Sequence, residues 1–312
     1  MEASIITELG ALPESWRVDR FDSLFDVQQG RQVSKANRVG NNQQRFLRTK
    51  NVLWNRLDLS DLDEMHFSEA DELRLALKPD DLLICEGGDI GRTGIWRGAI
   101  PRCYYQNHLH RARIRDPKTA DAQFILFWLW YAFEFGHLYF GRGNVTTIPN
   151  LSRSKLCELP LAIPPLIEQR KIAGVLELVQ RAIEQQEQLI ALTSELKKAL
   201  LRRLFTEGLR GEPQKESEIG LVPQSWKVSP LGDYLTEAQY GISAKGAKSG
   251  SYAVLRMTNQ RQGRISADDL QYVELTAGQF ANFRVERQDI LFNRTNSLDL
   301  VGRTAIFDLA GR

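Results

Sequence analysis

The sequence predicts an α+β protein in which a β-rich module occurs twice and the first copy leads into a long coiled-coil helix. Three observations predict this: an internal repeat, short strand patterns between glycine and asparagine turns, and a long segment without helix breakers. The chain has 312 residues, which suits about two domains. Its 42% apolar and 26% charged residues are typical of globular proteins and exclude disordered and collagen-like classes.

The internal repeat is the strongest organisational signal. Residues 8–18 (ELGALPESWRV) return at residues 218–228 as EIGLVPQSWKV, an offset of 210 positions. Further matches follow in the same order at offsets of 208 to 211: Leu47-Arg48 with Leu255-Arg256, residues 81–84 with 289–292, and residues 91–93 with 302–304. Ordered matches of this kind indicate one module present twice.

The first copy predicts short strands followed by a helix. Asp81 to Cys85 and Leu109 to Arg115 are examples of the strands within residues 13–115. Residues 121–140 predict a helix, and its aromatic run from Phe124 to Phe133 is expected to be core, the alternative being a stacking surface for bases. Prolines then break the chain before the next element.

Residues 167–205 predict one long helix of roughly 60 Å. Its apolar residues are spaced alternately three and four apart, which is typical of a coiled coil, and Gln186, Thr193 and Arg203 interrupt them. We refer to these as the stripe: Ile172, Val175, Val179, Ala182, Leu189, Leu196 and Leu200. The predicted boundaries are a first module at 1–166, the helix at 167–206, a linker at 207–217 and an incomplete second module at 218–312.

Charge is balanced in total, at +2, but segregated along the chain. Residues 27–57 contain no acid and hold seven basic residues among ten Asn or Gln residues; residues 90–115 and 238–267 are also acid-free. Ten acids lie within residues 58–86. Arg, Asn and Gln can read base edges, and Lys and further Arg can neutralise phosphates, so three such stretches predict DNA binding rather than merely solvated loops.

The predicted DNA contacts come from both modules. In the first module they are Arg31, Lys35, Arg38, Arg45, Arg48, Lys50, Asn51, Arg92, Arg97 and Asn107. In the second module they are Lys245, Lys248, Arg256 and Arg303. Among these, Arg31, Arg45, Arg48 and Lys50 are expected to lie on the DNA-facing side of the first module.

Candidates for catalysis and metal binding are weak. Asp80, Asp116 and Lys118 resemble the carboxylate and lysine set of Mg²⁺-dependent nucleases, but Gln288 replaces Asp80 in the second copy. His108 and His110 have no Cys or third His nearby in the sequence, and residues 87–94 fit neither common phosphate-loop spacing. We therefore expect no cofactor, no metal and no catalysis by this chain.

Cysteine usage and hydropathy predict a cytoplasmic protein without a membrane partner. Three cysteines with no Cys-x-x-Cys pair argue against a zinc ribbon and a secreted disulfide framework. The N-terminus has no secretory pattern, and the longest apolar run, Phe124 to Phe133, is about half of what a bilayer span needs.

Two motifs together resemble the specificity subunit of type I restriction–modification systems. Gly-x-Leu/Val-Pro-x-Ser-Trp opens each module at Gly10 and Gly220, and Leu161-x-Ile-Pro-Pro-Leu-x-Glu-Gln-Arg-Lys-Ile172 opens the long helix. The resemblance covers the whole chain. It implies that each module is a target-recognition domain, a twisted α+β unit reading one half of a split DNA target. It also implies that the chain is non-catalytic and directs methyltransferase and endonuclease subunits.

The resemblance further implies a partner surface around the long helix. The methyltransferase subunit is expected to dock on Pro164, Pro165, Leu166, Leu176, Ile183 and Ile190, with the endonuclease/translocase subunit attached through it. The alternatives are a Mg²⁺-dependent nuclease and a coiled-coil adaptor without DNA specificity. Relative to the family pattern, the counterparts of residues 102–166 and of the long helix are missing from the second copy. A homodimer through helix 167–205 is therefore expected to cover the stripe.

Overall fold

The computed structural model describes residues 4–139, 150–295, 297–298 and 300–309. The chain divides into two compact units, Met1–Arg203 and Leu204–Arg312. The predicted α+β class is confirmed, because small sheets combine with short helices and one helix of 42 residues. Among the described residues, no helix is long and apolar enough to cross a bilayer.

The first unit contains thirteen described strands and all but the last four residues of the long helix. The strands are β1 (Ser4–Thr7), β2 (Gly10–Pro13), β3 (Arg17–Arg20), β4 (Phe25–Gln29), β5 (Gln43–Leu47), β6 (Val52–Leu53), β7 (Arg56–Leu57), β8 (Asp63–His66), β9 (Leu82–Cys85), β10 (Thr93–Ile95), β11 (Tyr104–Tyr105), β12 (Leu109–Ile114) and β13 (Pro160–Ile163). The helices are α1 (Phe21–Leu24), α2 (Glu69–Leu75), α3 (Ala122–Trp130), α4 (Arg153–Glu158) and α5 (Leu166–Glu207), with 3₁₀ turns at Ala36–Arg38 and Thr49–Asn51.

Two sheets of the first module frame two hydrophobic cores, and strand β9 of the four-stranded sheet lies between these cores. One sheet has the order β10-β9-β12-β4 and the other the order β11-β5-β8. Leu82 and Ile84 pack into the core beneath α3, whereas Leu83 and Cys85 pack into the core of the second sheet. Alternate side chains of a strand point to opposite faces, so a strand covered on both faces is apolar throughout.

The aromatic run is core as predicted over residues 124–129, while Tyr131 is 49% exposed. Residues 122–129 of α3 are all buried, and Asp121 caps the helix by accepting a hydrogen bond from the Phe124 amide at 3.0 Å. The helix is shorter than the predicted 121–140, because a π-turn over Tyr131–Phe135 follows and the Gly136 amide closes it by donating to the Tyr131 carbonyl. Residue 140 lies outside the described residues.

Helix α5 is fixed to the first module at its start. It spans Leu166–Glu207, one residue beyond each of the predicted limits of 167 and 206. Strand β13 leads into it and pairs with β3, while the Trp16 indole packs edge-on against Phe124 and donates to Glu168 Oε1 at 3.1 Å. The tryptophan of the repeated motif therefore lies at the junction of module and helix.

The second unit contains the end of α5 and eight described strands. They are β14 (Gln214–Ser217), β15 (Gly220–Pro223), β16 (Tyr252–Val254), β17 (Gln260–Arg261), β18 (Arg264–Ile265), β19 (Gln271–Val273), β20 (Ile290–Phe292) and β21 (Thr304–Ile306), with helix α6 at Ala277–Phe283 and 3₁₀ turns at Leu231–Tyr234 and Met257–Asn259. Strand β14 occupies the last four residues of the segment predicted as a linker.

The repeat is visible in the backbone. Hairpins β1–β2 and β14–β15 have the same register and turn on Gly10 and Gly220, whose φ values of 98° and 100° favour glycine. Strands β5 and β8 pair with Gln44 opposite Met65, and β16 and β19 pair with Tyr252 opposite Val273, each 208 positions later. The offset is 210 in the hairpins and 208 in the sheet strands, so residue-by-residue comparison is fixed within each of these segments.

Candidate nucleic-acid interface

Asn51 holds a turn and is not available for DNA. It is 2% exposed, its Oδ1 accepts from the Arg48 amide at 2.9 Å, and its Nδ2 donates to the Asp58 and Asp61 carbonyls at 3.0 Å. Asn259 makes the same set of contacts in the second module, with Arg256, Ser266 and Asp269. The structure therefore corrects the assignment of Asn51, because every hydrogen-bonding group of its side chain is used within the fold.

Arg31 is held inside the first module. Its guanidinium pairs with Asp71, donates to Asn37 Oδ1 at 2.9 Å and lies 5.8 Å from the centre of the Phe67 ring. The side chain is 20% exposed and the Asp71 side chain 13%. Arg31 thus connects the β4–β5 loop to helix α2, and little of its charge reaches solvent.

Three predicted DNA contacts lie together beside strand β8, each next to an acid. Arg45 Nε is 3.7 Å from Glu64 Oε1, Arg48 Nη1 is 2.7 Å from Asp63 Oδ2, and Lys50 Nζ is 2.5 Å from Asp61 Oδ2. All six side chains are partly exposed. The charge of these cations is therefore compensated by acids that follow them in the sequence.

Arg92 and Arg97 are also paired. Arg92 contacts Asp89 and donates to the Thr49 carbonyl at 2.9 Å. Arg97 is 2.5 Å from Asp80 Oδ1 and donates to Gln123 Oε1 at 2.7 Å. Asp80, the first acid of the nuclease alternative, is thus occupied by an arginine.

Three predicted DNA contacts have side chains without an ionic or hydrogen-bonding partner among the described residues, and we call them open: Lys35, Arg38 and Asn107. Lys35 and Arg38 are exposed in and beside the 3₁₀ turn at residues 36–38, and neither has an acidic partner among the described residues. Asn107 is half-buried; its main chain bonds to Arg31 and Gln29, while its side-chain amide has no partner within the described part of the chain. These residues can contact phosphate or base edges without breaking an internal bond.

A shallow groove of about 480 Å³ lies beside β5. It is lined by residues 43–45, Glu64 and residues 100–102, a set rich in amide and guanidinium groups. Arg102 is exposed in the groove and has no acidic partner among the described residues. Residues 90–115 are acid-free, but the sequence alone does not distinguish Arg102, Gln43 or Gln44 from their neighbours, because the groove forms only when residues 100–102 fold against β5.

The other catalytic and metal candidates have structural roles. Asp116 Oδ1 accepts from the Lys118 amide at 2.9 Å and shapes a turn. His110 is buried and shares a 2.9 Å hydrogen bond with the Leu151 carbonyl, and burial lowers the pKa of its imidazole. Over the described ranges, no group of three or more His, Cys, Asp or Glu side chains could hold a metal ion.

Comparison with known proteins identifies the family. Residues 13–193 match the family model described as the type I restriction modification DNA specificity domain. The chain belongs to this family. The matched range includes the groove of the first module, strand β13 and most of α5.

Several specificity subunits resemble the chain. A putative type I restriction enzyme MjaX specificity subunit of Methanocaldococcus jannaschii is 24% identical over 235 residues, covering 73% of this chain and 54% of that protein. The EcoKI specificity subunit of Escherichia coli is 25% identical over 159 residues, covering 50% of this chain and 34% of that protein. The chain therefore spans about half the length of the first of these relatives. A type I S subunit structure from M. genitalium aligns with a TM-score of 0.49 at 17% identity, covering 94% of this chain and 70% of that chain.

In this specificity-domain protein, α5 exposes the predicted partner residues. Leu176, Ile183 and Ile190 are 41%, 48% and 66% exposed. At the entry to the helix, Pro165 is exposed, Leu166 is half-buried and Pro164 is buried. Apolar side chains of this size on a helix surface favour contact with another protein.

In the second module, Lys245, Lys248 and Arg303 are exposed and have no acidic partner within the described residues. Arg256 is paired instead, with its Nη2 2.7 Å from Asp269 Oδ2. The second module thus repeats the division into open and paired cations.

Proposed function

We propose that this chain is the DNA-specificity subunit of a type I restriction–modification complex. It reads a bipartite double-stranded DNA target and directs methyltransferase and endonuclease subunits to it, without catalysing a reaction itself and without a cofactor. The observation that carries the proposal is the match of the specificity-domain family over residues 13–193, which includes both the groove-bearing module and its helix. The proposal extends to a cytoplasmic location, where such a complex would meet DNA.

The first module supplies the contacts to one half of the target. Gln43, Gln44 and Arg102 line the groove with groups that can read base edges, while Lys35 and Arg38 lie free to contact phosphates. Lys245, Lys248 and Arg303 are the corresponding candidates in the second module. The open cations provide the sequence-independent part of the binding free energy.

Helix α5 supplies the protein contacts. The methyltransferase subunit docks on the entry at Pro164, Pro165 and Leu166 and on Leu176, Ile183 and Ile190, and the endonuclease subunit joins through it. The neighbouring stripe includes Val175, Leu189 and Leu196, which are 63%, 55% and 58% exposed. Burying such a side chain contributes roughly 1.5 to 3 kcal/mol, which favours a second helix over the stripe. Pairing of this stripe with α5 of a second copy of the chain would bury these side chains.

DNA binding by the full chain tests the proposal. Replacing Lys35 and Arg38 together by alanine is expected to weaken binding to a random duplex and to reduce the slope of log affinity against log salt by roughly two units, about 0.9 for each phosphate contact. The matched control is Lys118→Ala with Lys197→Ala, which removes the same charge from exposed positions outside the groove.

An unchanged salt slope in the Lys35 and Arg38 variant would contradict the phosphate contacts. Absence of duplex binding by the wild-type chain at low salt would contradict the proposed function as a whole. Cleavage of the duplex by the chain with Mg²⁺ alone would favour the nuclease alternative.

A further inference from the structure

The cations beside β8 face a set of acids that we call the acidic row: Asp61, Asp63 and Glu64. Asp61 contacts Lys50, Asp63 contacts Arg48 and lies 3.9 Å from Lys50, and Glu64 contacts Arg45. Three cations are thus balanced by three acids on one exposed surface that includes part of the groove. DNA phosphates that approach these cations would also meet the row. The row therefore opposes the very contacts that the cations could make.

The second module provides an internal comparison for this surface. By the common strand register, Arg45, Arg48 and Lys50 correspond to Ala253, Arg256 and Thr258, while the acidic row corresponds to Asp269, Gln271 and Tyr272. The three cations and three acids of the first module are thus reduced in the second to one cation, Arg256, and one acid, Asp269. These two pair with each other at 2.7 Å. Cations and acids have changed together, so the charges at these six positions sum to zero in both copies.

Positions that the fold needs behave differently. Asp71 accepts from the Ser68 amide at 3.3 Å and caps helix α2, and its counterpart Gln279 accepts from the Thr276 amide at 3.0 Å and caps α6. The contacts of Asn51 with the backbone are likewise retained by Asn259. Arg45, Lys50, Asp63 and Glu64 have no charged counterpart in the second module, so the shared fold does not require these four charges.

We propose that the acidic row is a specificity-determining element, which lowers affinity for non-target DNA by competing with phosphates for Arg45, Arg48 and Lys50. This inference rests on the proposed DNA-binding function. On random DNA, a cation that exchanges its carboxylate partner for a phosphate gains little binding free energy. The reason is that the acids of the row then lie next to the DNA backbone and repel it. On the target, base contacts in the adjacent groove offset the cost of the exchange, so the row increases the ratio of specific to non-specific binding.

The exposure of the row fits exchange rather than a structural role. The Asp61 and Glu64 side chains are 78% and 57% exposed, and exposed ion pairs stabilise a fold very little. Asp81 shows the opposite case in the same module, since it is fully buried and accepts from both Arg113 Nε and Nη2 at 2.7 Å. Removing acids of the row should therefore leave the fold intact.

The test is the double variant Asp61→Asn with Glu64→Gln in the full chain. The matched control is Glu14→Gln with Glu187→Gln, which changes net charge equally at exposed positions that have no basic partner among the described residues. With a random-sequence duplex as the probe, removal of each acid near a phosphate is expected to raise affinity about threefold, or roughly tenfold together. The salt dependence should become steeper, and the control should change much less because its charges lie farther from the cations than the row does.

Each outcome decides the inference. Tighter binding by the row variant alone, with an unchanged melting temperature, supports it. Unchanged binding by the row variant, or an equal gain in the control, overturns the inference while leaving the proposed function in place. A lower melting temperature of the row variant without tighter binding would show that the row stabilises the fold. This result would also overturn the inference. Failure of wild type and both variants to bind the duplex at low salt would refute the proposed function itself.

Discussion

Gln169 is predicted to be the main polar anchor between the first module and α5. Its side chain is fully buried; Oε1 accepts from the Asp121 amide at 2.9 Å, and Nε2 donates to the Pro164 carbonyl at 2.9 Å and the Thr119 carbonyl at 3.2 Å. Gln169→Leu keeps the side-chain size but leaves these three backbone groups without that partner. Each buried group left unsatisfied costs about 1 to 3 kcal/mol, and Thr119 is only half-buried, so we expect a loss of about 3 kcal/mol.

Urea denaturation of the full chain, followed by tryptophan fluorescence, measures this change. Trp16 and Trp128 pack at the same junction, so their signal reports the first module. The control is Gln180→Leu on the exposed part of α5, whose one side-chain hydrogen bond, to Glu184, is solvent-exposed. A loss below about 1 kcal/mol for Gln169→Leu, or equal losses in both variants, would refute the assignment of Gln169 as an anchor.

Two further predictions concern the partner surface and pH. Changing Leu176, Ile183 and Ile190 together to glutamine is expected to abolish co-purification with the methyltransferase subunit. The helix content should stay unchanged, because all three side chains are already exposed. A complex that survives the change would place the docking surface elsewhere. Burial lowers the pKa of His110 from 6.5, so the unfolded chain binds a proton that the folded chain does not, and the free energy of unfolding should fall as pH drops below about 6.5. His110→Gln, which keeps a donor for Leu151, should show a smaller fall between about pH 7 and about pH 5, and equal falls would contradict the role of His110.

Patterns of short range predicted much of the fold. The motif around Trp16 and Trp226, the helix near residues 167–205 and the buried strand at residues 82–85 all follow from local spacing and hydropathy. The limits of α3 did not, because its aromatic run continues past Trp130 while the backbone changes to a π-turn that Gly136 ends.

The candidate site was less accessible from the sequence. Residues 27–57 are free of acids along the chain, but antiparallel pairing of β5 with β8 brings Glu64 opposite Arg45. Whether a cation is open or paired thus depends on strand register, which charge counting does not include. Lys35 and Arg38 lie in the loop before β5, outside the paired strands, and have no acidic partner among the described residues.

The repeat itself offers a rule that separates framework from recognition. Residues that both modules keep in the same place, such as Gly10 with Gly220 and Asn51 with Asn259, make the same contacts with the backbone in each copy. Those contacts are required by the fold whatever DNA is bound. Arg45 and Lys50 correspond to Ala253 and Thr258, so a fold shared by both copies does not require their charges. Two modules that read different half-sites must differ where they touch DNA, which makes cations without a charged counterpart the better candidates for that contact.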